Sequence, residues 1–225
     1  MVTLQTQISE LDLDNFDGQL TQTTALSPLS WQTYRSIVKE MGDHRSTRLA
    51  YSEKTLTIKM PSKLHEIINR LLARIVTTLT EELNLDVVNI GSTTLDNDNL
   101  EKGAEPDTGF YIQNANQLEG LDPDIPTGLP PDLVIEVDIT SPSAGRLLIY
   151  RALGVQEVWQ YTKRKGVSVL KLVDGEYTVS IASGVFPRLS AEKINQFLSQ
   201  RRNQSENQVI RAVRNWVQSL ESLES

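Results

Sequence analysis

The chain has 225 residues, 39% of them hydrophobic and 23% charged, enough apolar material for one or two domains of ordinary size. That balance excludes a wholly disordered chain, a collagen and a coiled-coil rod. Lys+Arg 22 against Asp+Glu 29 leaves a net charge of −7, which argues against coating nucleic acid by bulk charge while leaving room for a local basic patch. With no cysteine there is no disulfide framework, thiol nucleophile or thiolate metal site, and two histidines, His44 and His65, exclude a three-histidine zinc centre within one chain. No apolar run approaches the roughly 18 residues of a membrane span, and the first residues lack a basic-then-apolar signal. A soluble, cytoplasmic protein with no membrane partner is expected.

Residues 1–24 carry Glu10, Asp12, Asp14 and Asp17 with no Lys or Arg and few apolar side chains, the pattern of a loose acidic tail. Order is expected from Ser27-Pro28-Leu29-Ser30, which opens a helix bearing Trp31, Tyr34, Ile37, Val38 and Met41 and ending at Gly42-Asp43. Arg48–Tyr51 and Leu56–Met60 read as strands around the turn Ser52-Glu53-Lys54. Pro61-Ser62 starts the longest helix, to about Leu83, whose apolar stripe runs Leu64, Ile67, Ile68, Leu71, Leu72, Ile75, Val76 and Leu79. Short strands are expected around Asp86–Ile90, Thr93–Asp96 and Asp107–Ile112, followed by a polar loop to Pro130. Asp132–Ile139 is the strongest strand. Ser141-Pro142-Ser143 caps a helix that ends at Gly154. Strands Glu157–Tyr161 and Val167–Leu172 flank the turn Lys163-Arg164-Lys165-Gly166, and a hairpin turns at Asp174-Gly175. Helices Ala191–Gln200 and Gln204–Leu220 finish the chain, the last with Val209, Val213, Trp216, Val217 and Leu220 on one face that covers either its own domain or a second subunit. With no repeat and no linker inside 25–200, the expected organisation is an acidic tail over 1–24, one α+β domain over 25–200 and a C-terminal amphipathic helix over 201–225.

Charge is spread unevenly. Residues 101–138 hold nine acids against the single Lys102, and residues 144–202 hold ten Lys or Arg against four acids. An acidic cluster beside a basic region suits a divalent cation next to a polyanion, although loop solubility alone accounts for the counts. The strand at 132–139 sharpens the first reading. Period-two alternation puts Leu133, Ile135, Val137 and Ile139 on one face and Asp132, Val134, Glu136 and Asp138 on the other. A strand this apolar belongs in the interior, where like charges raise each other's pKa or demand a counter-ion. Hard carboxylate oxygens there favour Mg²⁺ or Mn²⁺. Asp107, after Pro106, begins another strand, and Pro106 disfavours helix at Glu105.

Pro106-Asp107 followed by Glu136 in an apolar strand resembles the PD-(D/E)XK phosphodiesterase signature of restriction-endonuclease-like folds. The block from Gly103 to Asn114, the block from Pro131 to Ser143 and the block from Ile149 to Trp159 together resemble the Uma-two family of endonucleases. Trp31–Tyr34 and Met60-Pro61-Ser62-Lys63-Leu64-His65-Glu66 are similar to its N-terminal landmarks, and the likeness spans roughly residues 28–200. The resemblance implies a mixed β-sheet flanked by helices and Mg²⁺- or Mn²⁺-dependent hydrolysis of nucleic-acid phosphodiesters, with DNA the expected polymer. It implies Asp107 and Glu136 as the metal carboxylates and Glu66 as a helix acid completing the site. The helical wheel instead turns Glu66 away from the apolar stripe, as a solvated first-turn acid favoured by the helix dipole. Enzymes of this fold often pair to cut two strands, so a homodimer is expected.

Two departures stand out. The signature's Lys, two residues after the second acid, is replaced by Asp138. Many relatives carry a Lys four residues before the tyrosine matching Tyr150, where this chain has Arg146. Arginine keeps the charge and can hold a phosphate but does not readily act as a base. Asp107, Glu136 and Asp138 are thus the expected ligands of one ion and Arg146 an electrostatic clamp, or else a solvated helix residue near a cap. Lys163, Arg164, Lys165 and Lys171 are candidates for contacts to backbone phosphates, or form an ordinary charged hairpin. Tyr111 and Tyr150 are expected to pack or hydrogen-bond locally, and His65 to be a helix-edge histidine with a satisfied partner. The competing function is a catalytically degenerate nuclease fold that binds nucleic acid or protein. A carboxylate-pair glycoside hydrolase fits the acids but not an aromatic content of 6%.

Overall fold

A computed structural model describes residues 3–7, 22–42, 46–118, 120, 123–126, 128–139 and 144–221. The first sheet is antiparallel throughout, in the order β1 (Thr3–Gln7), β2 (Gln22–Ser27), β4 (Thr55–Met60), β3 (Arg48–Ser52), β7 (Lys102–Ala104) and β6 (Leu95–Asn97). The second runs β12 (Glu176–Ser180), β11 (Gly166–Val173), β10 (Glu157–Thr162), β9 (Leu133–Asp138), β8 (Thr108–Tyr111) and β5 (Val88–Gly91). In it β9 and β10 are parallel and the other neighbours antiparallel. The helices are α1 (Trp31–Met41), α2 (Lys63–Glu82), α3 (Ala144–Leu153), α4 (Ala191–Gln200) and α5 (Glu206–Glu221). An α+β fold results, with the expected mixed sheet joined by a second, antiparallel one.

Parallel strands need a crossover, and α3 supplies it between β9 and β10. That places β9 in the middle of its sheet, where all six of its residues are buried. Leu133, Ile135, Val137 and Ile139 enter the main core with Leu72, Ile75 and Val76 of α2, Phe197 of α4 and Val209, Val213 and Val217 of α5. Val134, on the opposite face, packs with Ile149 and Tyr150 of α3 and with Ala50 and Ala104 of the first sheet. Each fully buried aliphatic side chain contributes about 1.5–3 kcal/mol by leaving water, so the first face is the main source of cohesion. A third cluster, Trp31, Tyr34, Leu49, Tyr51 and Leu56, pins α1 to the far side of the first sheet. The N-cap of α1 is Ser30, whose Oγ accepts a hydrogen bond from Thr33 N at 3.1 Å.

Several expectations need correction. The stretch read as a tail contains β1 and much of β2, and Gln22–Met60 to Leu26–Leu56 pairing anchors β2 on β4. The acids Glu10, Asp12, Asp14 and Asp17 lie outside the described residues, as do His44, Asp43 and the cap Ser141-Pro142-Ser143. The buried face of α2 is rotated from the expected stripe: Ile67 is 46% exposed, whereas His65 and Asn69 are buried. Strand β7 was not expected. The helix α5 covers its own domain, joining α2 and α4 in one core.

Candidate active site

The residue just before β8 and the middle of β9 lie side by side because β8 pairs antiparallel with β9, Thr108 opposite Ile135. Asp107 and Glu136 are both buried, and they share one cation, the ammonium of Lys59 on β4. Lys59 Nζ stands 3.2 Å from Asp107 Oδ2 and 3.6 Å from Glu136 Oε2, and donates to the Val137 carbonyl at 3.0 Å. Lys59 arrives there by alternation along β4. Leu56 and Ile58 face the α1 cluster, so Lys59 points from the opposite side of its sheet toward β9.

Asp107 is further held by α2. The N-cap Ser62 accepts from His65 N at 3.3 Å, which seats His65 in the first turn. His65 Nε2 lies 2.8 Å from Asp107 Oδ2. One turn on, Asn69 Nδ2 donates to the Asp107 carbonyl at 3.1 Å and Asn69 Oδ1 accepts from Thr108 Oγ1 at 2.9 Å. Val137 N also donates to Asp107 Oδ2, at 2.8 Å. Burial alone pushes the Asp107 carboxyl up, but Lys59, His65 and Arg146 outweigh it and hold the group well below the usual carboxylate range.

Glu136 lives in a different field. Arg146 and Tyr150, four residues apart on α3, both turn to it. Arg146 Nη1 lies 3.4 Å from Glu136 Oε1 and donates to the Glu105 carbonyl at 2.8 Å, while the Tyr150 hydroxyl donates to Glu136 Oε1. Burial first, and then the Asp107 charge, raise the Glu136 pKa against the pull of Arg146 and Lys59. Burial works against the Arg146 charge, yet Glu136, Tyr150 and Asp107 reverse it and keep the guanidinium firmly protonated. Burial and Glu136 together push the Tyr150 phenol up. Two adjacent carboxyls with pKa values driven apart form an asymmetric pair, Asp107 the anion and Glu136 the readier proton carrier.

The other expected site residues are distributed as follows. Arg146 is buried, so the solvated-helix alternative falls away. Asp138, on the Glu136 face of β9, accepts from Gln160 Nε2 at 2.9 Å. Glu66 touches neither carboxylate: it is half-buried, 3.5 Å from His65 Nδ1, and the nearby imidazole lowers its pKa. His65 in turn bridges Glu66 to Asp107. Burial lowers its pKa, but the hydrogen bond to Asp107 and the neighbouring Glu66 carboxylate raise it overall. Tyr111 bonds locally, to the Leu129 carbonyl at 2.7 Å, whereas Tyr150 belongs to the site. The basic quartet is split. Lys163, Arg164 and Lys165 follow Thr162, which pairs with Asp138, so they sit at the Glu136–Asp138 end of the sheet. Lys171 pairs with Glu157, five residues back along β10 and therefore about 17 Å away. Lys59, His65 and Asn69 escaped the sequence reading as site residues.

Whether the cluster fits a divalent ion turns on its oxygens. Asp107 Oδ1 and Glu136 Oε2 are buried without a hydrogen-bond partner, and Asp107 Oδ2, Glu136 Oε2 and the Val137 carbonyl already converge on one positive charge. Two carboxylates and a carbonyl are hard donors of the kind Mg²⁺ and Mn²⁺ take. Among the described residues no group of three or more His, Cys, Asp or Glu could hold a metal ion, so the protein's share of such a site is this smaller set.

The mixed sheet thus carries a buried Asp–Glu pair whose cations come from β4 and α3. The chain belongs to the Uma2 family, described as "Putative restriction endonuclease", whose family model matches residues 31–197. A comparison with curated proteins finds no match. No helix among the described residues is long and apolar enough to cross a membrane.

Proposed function

We propose that the chain is a Mg²⁺- or Mn²⁺-dependent nuclease that hydrolyses phosphodiester bonds, with DNA as the polymer, acting in the cytoplasm as a homodimer. The observation that carries this reading is the meeting of Asp107 and Glu136 around a single cation position in a member of a restriction-endonuclease family. Asp107, Glu136 and the Val137 carbonyl would hold the ion, with Asp138 alongside on the same strand face. A bound ion supplies Lewis acidity, polarising the phosphate and easing deprotonation of water. Arg146 offsets charge that develops on the phosphoryl oxygens. His65 holds Asp107 in register and Glu66 orients His65, a positioning role for the helix acid. Lys59 brings to the carboxylate pair the lysine that the signature would place at position 138. Lys163, Arg164 and Lys165 lie where a nucleic-acid backbone would approach that end of the sheet.

The degenerate-nuclease reading draws support from the same cluster, because Lys59 and Arg146 already neutralise both carboxylates in a buried setting. A cleavage assay on single- and double-stranded DNA and RNA, with and without Mg²⁺ or Mn²⁺, separates the two. The nuclease reading expects metal-dependent cuts that disappear in Asp107→Ala and Glu136→Ala proteins of intact fold. Silence on every polymer at saturating ion leaves the binding module. Solution mass tests the dimer: particles of only 25.2 kDa at micromolar concentration would reject it.

A further inference from the structure

We propose that Lys59 is a tethered counter-cation, seated in the Asp107–Glu136–Val137 oxygen nest while no divalent ion is bound and expelled when one binds. The inference rests on the metal-dependent reading above and adds a regulatory step to it. Three oxygens from two neighbouring segments surround one ammonium at 3.0–3.6 Å, the nearer two at the separations of an N–H donor and none at that of a bare ion. Mg²⁺ binds oxygen at about 2.0–2.1 Å, so an ion on these same atoms would occupy the space of the ammonium and repel it. One nest therefore takes one cation at a time.

The lysine is an incomplete occupant. Its contact with Glu136 Oε2 is beyond hydrogen-bond length, and both that oxygen and Asp107 Oδ1 remain without a hydrogen-bond partner. Arg146 stands on Glu136 Oε1, so Glu136 Oε2 and the Asp107 carboxylate are left to whichever cation fills the nest. Lys59 can also leave without unfolding the site, since its flexible four-carbon stem springs from β4 in the first sheet while the oxygens belong to the second. Asp107 meanwhile keeps its bonds from His65 and Val137 N. The nest thus stays assembled without an ion, at the cost of competition when the ion arrives.

Two measurements test this. In the wild-type chain, reductive methylation read by peptide mass spectrometry should leave Lys59 protected in EDTA and label it in saturating Mg²⁺. By calorimetry, Lys59→Met should bind Mn²⁺ about tenfold or more tightly than wild type, because no fraction of the protein is held in the lysine-filled state. The Mn²⁺ binding that Glu136→Gln abolishes identifies the nest. Lys59 that stays protected while Mg²⁺ binds, or equal Mn²⁺ affinity with and without the lysine, overturns the displacement and leaves the metal site standing. Absence of Mn²⁺ binding in both proteins overturns the displacement and the metal-dependent reading together. Should Lys59→Met fail to fold, the wild-type labelling decides alone.

Discussion

The two faces of β9 make opposite bargains with water. Leu133, Ile135, Val137 and Ile139 exchange it for the side chains of α2, α4 and α5, and gain free energy in doing so. On the reverse face Glu136 and Asp138 are buried too, yet Glu136 must find cations on α3 and β4, and Asp138 a hydrogen-bond donor on β10, to remain there. Breaking a buried pair is costly even where the intact pair adds little stability. One strand therefore supplies cohesion on one side and, on the proposed function, chemistry on the other, where the charged groups serve what they do rather than what they stabilise.

The largest expected effect is on the charged face. Asp107→Asn should lower metal-dependent cleavage by about 10³-fold, equivalent to about 4 kcal/mol of transition-state stabilisation, with circular dichroism unchanged. Cleavage that survives the change would place the chemistry elsewhere. The apolar face should respond the other way round. Ile135→Ala should cost about 3 kcal/mol in urea unfolding through the cavity it leaves, while the folded protein keeps its turnover rate. A comparable loss of turnover in Ile135→Ala would mean that the two faces are not separable.

pH sharpens the contrast between the carboxylates. Asp107 has a depressed folded pKa, so its stabilising contribution is present above about pH 4 and is lost as pH falls below that. Glu136 has a raised folded pKa, so its contribution is fully present below about pH 4.3 and is lost as pH rises through the folded value. His65, also raised, adds to the loss on the alkaline side of about pH 6.5. Urea midpoints measured from about pH 3 to 8 should therefore decline at both ends. Glu136→Gln should flatten the alkaline decline and leave the acid limb in place. An unchanged alkaline limb in that variant would show that Glu136 carries no such strain.

Much of this was legible from residue order. Period-two alternation in 132–139 gave both faces of β9, and the resemblance to the PD-(D/E)XK signature pointed to Asp107 and Glu136 as a pair. Lys59 was not legible, and the reason is physical. Thr55, Thr57 and Lys59 share a face that reads as solvent, and only the stacking of the first sheet against β9 makes it interior. His65 and Asn69 were hidden for a related reason: polar residues flanking an apolar stripe look like its edge until a buried carboxylate gives them a partner. The strand Gln22–Ser27 carries no apolar alternation and gains its order by pairing with β4. Register, which no local pattern encodes, also divided the basic quartet.

That division carries the smallest effect and a clean internal control. Lys163, Arg164 and Lys165 are exposed at the Asp138 end of β10, and Lys171 lies at the other. If the turn meets phosphates, replacing its three cations by Ala should weaken DNA binding several-fold at low salt. The slope of log K against log[salt] should then become shallower by about 0.9 for each phosphate that is no longer neutralised. Against the single change Lys165→Ala, Lys171→Ala removes the same charge from the wrong end of the strand and should change neither. Equal losses from both substitutions would point to bulk charge, and no loss from either would return the turn to an ordinary solvated hairpin.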